Sequence, residues 1–223
     1  MPRLLVVTAV PAEADAVLAR FEAAPGSVAG LDVRRALTPA GLVDVIAGGV
    51  GPVAAALSSA AVLSSGEYDI VLSAGIGGGF GPFALAVANR SVFADLGAEL
   101  ADGGFSSVAE LGFGESMISI DAGLAATMAD RTGATTGAVL TVATVTGTAD
   151  RAARLRRAHP SAVAEGMEGY GVAAATVRAS ARFGELRAIS NQVGPRDRSA
   201  WRVSEAVAAL SAAFEALLDG GPL

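Results

Sequence analysis

The chain has 223 residues, enough for one α/β domain with a sizeable core and too few for two comfortable ones. Its 52% hydrophobic content argues against disorder, and a net charge of −6 argues against a nucleic-acid binder, which would present a basic face. Cysteine is absent and all 16 basic residues are arginine, which excludes disulfide and thiol chemistry, a Schiff-base lysine and a phosphate-loop lysine.

"RLLVVTA" at the start reads as a buried strand. It could pass for a short signal peptide, but Glu13 and Asp15 follow at once with no convincing cleavage site. A helix is expected from Ala12 to Phe21, then two strands, "LDVRRAL" and "LVDVIAGG", in a hairpin around "TPAG". "GPVAAALSSAAVLSS" reads as a helix with Pro52 in its first turn, and "YDIVLSAG" as a strand ending in the glycine cluster "GIGGGFG". Residues 84 to 117 show a less regular pattern, with room for shorter strands. "DAGLAATMADRT" is expected to be a helix, "GAVLTVATV" a strand, "TADRAARLRRA" a helix, and "EGMEGYGVAAATVRASARF" a helix despite its glycines. A strand from Leu186 to Ile189 delivers Ser190 and Asn191, and "WRVSEAVAALSAAFEALLD" closes the chain as an amphipathic helix. The fold class is α/β: a single domain, residues 1–223, with three α/β/α layers around a mixed, largely parallel sheet. No apolar run approaches a membrane span, and with the missing cysteines this leads us to expect a cytoplasmic protein.

The only histidine, His159, precedes a proline, so a histidine-rich metal site and a serine–histidine hydrolase are both disfavoured; no metal and no cofactor are expected. Carboxylates and amides must then carry any chemistry. Glu13 follows the first strand, where it suits either a pocket or the positive end of a helix dipole. Glu168 lies among small residues expected to be buried and needs hydroxyl or cationic partners, sugar hydroxyls or Arg187. Asn191 fits a turn as well as a site. The clusters "GGVGP" and "GIGGGFG" match neither GxGxxG nor a phosphate loop; they suit tight turns or a close approach of backbone to ligand. Three polar groups at the carboxyl ends of separate strands, with glycines between, fit a small-molecule pocket better than three accidents.

"TAVPAEAD", "GGVGPVAAA", "SAGIGGG", "EGMEGYGVAAA" and "RAISN" together resemble the nucleoside phosphorylase/nucleosidase superfamily over nearly the whole chain. Within it the pattern is similar to methylthioadenosine/S-adenosylhomocysteine nucleosidases and to their relatives, the futalosine hydrolases, which "QVGPRDRSAW" resembles in particular. The resemblance implies that Glu13 activates water, that Glu168 holds ribose hydroxyls with Met167 beside the sugar, and that Gly78 flanks the nucleoside. It further implies that Thr144 and Val145 line the base, that Arg187 supports water and carboxylates, and that Ser190 and Asn191 meet the purine. Adenine-specific members carry aspartate at the position of Asn191, and a carboxamide donor suits a 6-oxopurine instead. Phosphorylases carry an arginine where Ser73 stands, so water is the expected nucleophile. Arg196 or Arg198 would pair with the benzoate of futalosine while Trp201 stacks on its ring. The expected activity is hydrolysis of futalosine to hypoxanthine in menaquinone biosynthesis, by a homo-oligomer of two or more chains. The alternatives are a methylthioadenosine/S-adenosylhomocysteine nucleosidase, an inosine-type phosphorylase, and a non-catalytic nucleoside sensor. Neither nucleic acid nor membrane is expected as a partner.

Overall fold

The computed structural model describes residues 1–223. Its first half runs β1 (Arg3–Thr8), α1 (Pro11–Val17), β2 (Ala23–Val28), β3 (Leu31–Thr38), β4 (Gly41–Ala47), α2 (Pro52–Ser65) and β5 (Ile70–Gly79). After these come β6 (Leu85–Phe93), the short strands β7 (Gly97–Glu99), β8 (Phe105–Ser107) and β9 (Met117–Ser119), and α3 (Ala122–Thr132). The remainder is β10 (Thr135–Thr141), α4 (Ala149–Ala158), β11 (Ala162–Gly166), α5 (Gly169–Arg178), β12 (Arg182–Gln192), a 3-10 turn at Arg198–Ala200, and α6 (Val203–Asp219).

Ten strands form one large sheet, nine of them in the order β11-β10-β6-β12-β5-β1-β4-β3-β2 with β9 pairing to β6, while β7 and β8 pair with each other separately. β1, β4, β5 and β12 are parallel neighbours at its centre. Leu4 to Val7 are fully buried, the behaviour of a strand covered on both faces, and so they read as a continuous apolar run. β11 also pairs antiparallel with β5, closing β11, β10, β6, β12 and β5 into a ring. Helices α2 and α5 pack together against one side of this sheet, and α1, α3 and α6 form a group against the other. No helix is long and apolar enough to cross a membrane.

Four expectations change. The first helix ends at Val17, and "AAPGSV" becomes β2, an edge strand formed by pairing with β3 despite Pro25 and Gly26. The irregular middle contains the nine-residue β6, whose polar Asn89 and Arg90 interrupt its apolar pattern. The helix expected from Glu165 begins only at Gly169, because "AVAEG" is β11. β12 starts at Arg182 rather than Leu186 and pairs antiparallel with β6, so the sheet is more mixed than the alternating pattern implies.

Asp44 on β4 anchors the end of the sheet where β1 begins. Its fully buried carboxylate accepts from Arg35 Nε at 2.6 Å, Tyr68 Oη at 2.7 Å and Arg3 at 3.3 Å. Burial alone would raise the Asp44 carboxyl; the Arg35 and Tyr68 hydrogen bonds outweigh it and hold the group below its ordinary range. The Tyr68 hydroxyl is pushed up to about 12 by burial and by Asp44. A depressed carboxyl contributes stability above its unfolded value of about 4 and loses it as pH falls through the folded value. Asp44→Asn is therefore expected to lower unfolding free energy by about 2 kcal/mol at neutral pH, since it weakens charge-assisted bonds whose arginines are partly solvated. Denaturant melts across pH check this: the gap from wild type should close below about pH 4.

Candidate active site

A cavity of about 270 Å³ opens where the carboxyl ends of β1, β5, β10, β11 and β12 converge. That is the crevice position parallel sheets offer to ligands.

Glu13 stands in the first turn of α1 and is 5% exposed. Its Oε2 accepts from the backbone N–H groups of Ala9 at 3.0 Å and Val10 at 3.3 Å, and its Oε1 from that of Ile76 at 2.9 Å. Helix-terminus complementarity and pocket placement thus coincide in one residue: the orphan N–H groups that open the helix fix the carboxylate at the cavity wall.

Glu168 sits just before α5. Its Oε1 accepts from the Gly51 N–H at 3.2 Å and its Oε2 from Arg187 Nη1 at 3.2 Å. Both candidate partners for this carboxylate are therefore compatible: arginine takes one oxygen from behind, and the group still faces the cavity. Arg187 itself is 1% exposed and stands under the carboxylates rather than on the cavity wall. It donates Nη2 to Ser73 Oγ at 2.7 Å and Nε to Glu185 at 3.2 Å. Burial pulls its guanidinium down, but Glu185, Glu168 and Glu13 outweigh that and raise it, so it is permanently charged.

On β12, alternation would send Ser190 and Asn191 to opposite faces. A register shift against β5 between Ile189 and Asn191 makes Ser190 an extra residue, and this bulge brings both to the cavity. Ser190 Oγ lies 2.9 Å from Asn191 Oδ1, and Asn191 Nδ2 donates to the Gln192 carbonyl at 3.0 Å. A carbonyl oxygen only accepts, so the amide nitrogen is oriented and keeps one N–H for a ligand. Gly78 permits this approach: a Cβ there would stand 2.8 Å from Val193 Cγ2 and 3.5 Å from Asn191 Nδ2.

The cavity also gathers Val145, Met167, Arg196 and Trp201. The Arg196 guanidinium lies 5.4 Å from the Trp201 ring centroid. Besides Arg187, two sequence candidates fall outside the cavity wall. Thr144 is exposed and off the wall, because Asp95 draws the N–H groups of Ala143 and Thr144 toward itself, at 3.0 Å and 3.4 Å. Arg198 lies in the exposed 3-10 turn capped by Asp197, which accepts from the Ser199 N–H at 3.0 Å.

Glu165 and Thr146, which no motif marks in the sequence, also line the cavity. Glu165 accepts from the Thr146 N–H at 2.8 Å and from Thr146 Oγ1 at 2.5 Å, anchoring the segment that carries Val145. Reading Glu165 as helical hid it; a strand end three residues before Glu168 is the signal that reveals it.

The sequence pattern of the phosphorylase superfamily matches residues 3–220. The chain belongs to that superfamily. It is 51% identical over 217 residues to the futalosine hydrolase of Streptomyces coelicolor, covering 93% of this chain and 92% of that protein. It is 42% identical to the futalosine hydrolase of Acidothermus cellulolyticus, covering 96% and 89%. Among solved structures, futalosine hydrolase of Helicobacter pylori superposes with a TM-score of 0.84 at 16% identity, over 98% of both chains. A 5′-methylthioadenosine/S-adenosylhomocysteine nucleosidase of Colwellia psychrerythraea in complex with adenine gives 0.82 at 21% identity, over 100% and 98%. At these identities the structures share the fold.

A Cβ on Gly75 would stand 2.8 Å from Glu13 Oε1 and 3.1 Å from Arg187 Nη1. Gly75→Ala is therefore expected to displace the Glu13 carboxylate and lower kcat by about a hundredfold, the scale of a misplacement near 1 Å, with little change in melting temperature. Steady-state kinetics beside a thermal melt checks it.

Proposed function

We propose that the chain hydrolyses the N-glycosidic bond of futalosine, releasing hypoxanthine and dehypoxanthine futalosine, as a step of menaquinone biosynthesis. The observation that carries this reading is the oriented carboxamide of Asn191, which offers N–H to a purine edge. Its relatives at 51% and 42% identity are named for the same substrate.

In this mechanism Glu13 takes a proton from water as the water oxygen bonds to the anomeric carbon. The bond from that carbon to the purine nitrogen breaks, its electron pair leaves with the base, and the base takes up a proton from solvent to become hypoxanthine. Glu168 accepts hydrogen bonds from the ribose hydroxyls, which strengthen as the sugar approaches an oxocarbenium ion. Asn191 donates to the N7 and 6-oxo region, where negative charge grows; it transfers no proton, so its help is electrostatic. Hypoxanthine suits such a site because its 6-oxo group delocalises that charge. Met167 packs beside the sugar and Val145 beside the base.

Water is the favoured nucleophile over phosphate. The one buried arginine near Ser73 is already shared among Glu168, Glu185 and Ser73, and the surrounding carboxylates repel a dianion. Arg196 pairs with the benzoate of the futalosine arm and Trp201 stacks on its ring, while Arg198 plays no part. We further propose that residues 1–223 act as one domain, that the enzyme works in the cytoplasm, and that it forms a homo-oligomer.

Chromatography of the base released from futalosine, inosine and methylthioadenosine, with and without phosphate, tests the reading. Phosphate-independent hypoxanthine from futalosine is expected; adenine from methylthioadenosine, or release only with phosphate, would sink it. Binding without release would point to a sensor. Asn191→Asp should slow hypoxanthine release at neutral pH at least about tenfold, because a carboxylate opposes charge on the leaving base. Arg196→Ala should raise KM for futalosine about tenfold, the value of one charge-assisted contact, and leave inosine cleavage unchanged.

A further inference from the structure

Glu185 is 0% exposed, lies off the cavity wall, and carries a carboxyl group that the mechanism above does not use. It stands two residues before Arg187 on β12, so the two side chains emerge side by side on one face of the strand. Its Oε1 accepts from Arg187 Nε at 3.2 Å, while its Oε2 has no hydrogen-bond partner. The chain makes room for it: a Cβ on Gly169, the first residue of α5, would overlap the Glu185 carboxylate. A Cβ on Gly166 would stand 3.1 Å from Arg187 Nε.

We propose that Glu185 is a positioning residue: by holding Nε of Arg187 it fixes the plane of the guanidinium, so that Nη1 stays on Glu168 and Nη2 on Ser73. A buried guanidinium cannot leave an N–H unpaired without cost. Without an acceptor at Nε it would turn to find one, and the nearest carboxylates are those facing the cavity. Glu168 would then lose the orientation its sugar contacts require.

The groups facing Glu185 are Arg187 on its own strand, Glu168 at the start of α5, and Ser91 on β6, with Glu13 of α1 beyond the guanidinium. Burial raises the Glu185 carboxyl, against the opposing pull of Arg187. Arg187 meets this carboxylate through Oε1 alone, so what it needs from this position is one acceptor oxygen, and a neutral amide supplies one.

This inference rests on the site assignment above but not on the identity of the substrate. Kinetics are measured on whichever nucleoside the wild type cleaves, so failure of the futalosine reading leaves the comparison intact. If the wild type binds a nucleoside without cleaving it, the same order is read in Kd. Glu185→Gln should keep kcat within about threefold of wild type and leave the acid limb of kcat/KM in place, since the acceptor is retained. Glu185→Asp, whose carboxyl is withdrawn by one methylene, should lose about tenfold in kcat, and Glu185→Leu about a hundredfold, with smaller changes in KM. If the leucine variant does not fold, the glutamine–aspartate pair decides. Wild-type kcat in the aspartate variant, or a glutamine variant as impaired as the others, would overturn the proposal.

Discussion

One buried guanidinium, that of Arg187, meets three different elements: Glu168 at the mouth of α5, Ser73 on β5, and Glu185 on its own strand. Three carboxylates crowd around it, two of them on the cavity wall. Such a cluster is costly to remove from water and is tolerated only when the charges and hydrogen bonds nearly close upon themselves. The glycines at 75, 166 and 169 are part of that closure, since each lies where a side chain would intrude on Glu13, Arg187 or Glu185. A uniformly apolar core would be simpler to stabilise, but it would not hold two carboxylates in fixed directions at a sheet edge.

The sheet supplies the rest of the rigidity. Parallel strands at the centre aim Glu13 and Asn191 toward the same end, and the antiparallel contact between β11 and β5 adds the Glu165–Glu168 segment from the other side. Buried on both faces, these strands cannot shift register without moving apolar side chains into the wrong layer. The bulge at Ser190 is the one break in that regularity within the site.

Much of this was legible in the sequence, and the failures have physical causes. β1 and β5 announce themselves because doubly covered strands are continuous apolar runs, whereas the buried charges Glu185 and Arg187 interrupt β12 and hide its first half. β2 was invisible because Pro25 and Gly26 oppose strand structure locally and only the pairing with β3 overrides them. Glu165 opens a segment whose alanines suit a helix, which conceals the strand end it occupies. The resemblance puts Thr144 beside the base, whereas the pull of Asp95, nearly fifty residues earlier, turns Thr144 outward. The bulge could not be read at all, since local sequence does not reveal which partner strand sets the register. Ser190 and Asn191, by contrast, were conspicuous as polar residues ending an apolar strand.

The closed ring of five strands divides the labour of recognition. Glu13, Glu168 and Asn191 stand on backbones that belong to, or lie directly against, a hydrogen-bonded hoop, so that part of the cleft is built before any ligand arrives. The far end, from Gly194 to Trp201, belongs to no strand and hangs beside the hoop. That end of the cleft could thus be reshaped by rewriting one short peripheral segment, while the end that holds Glu13, Glu168 and Asn191 stays untouched.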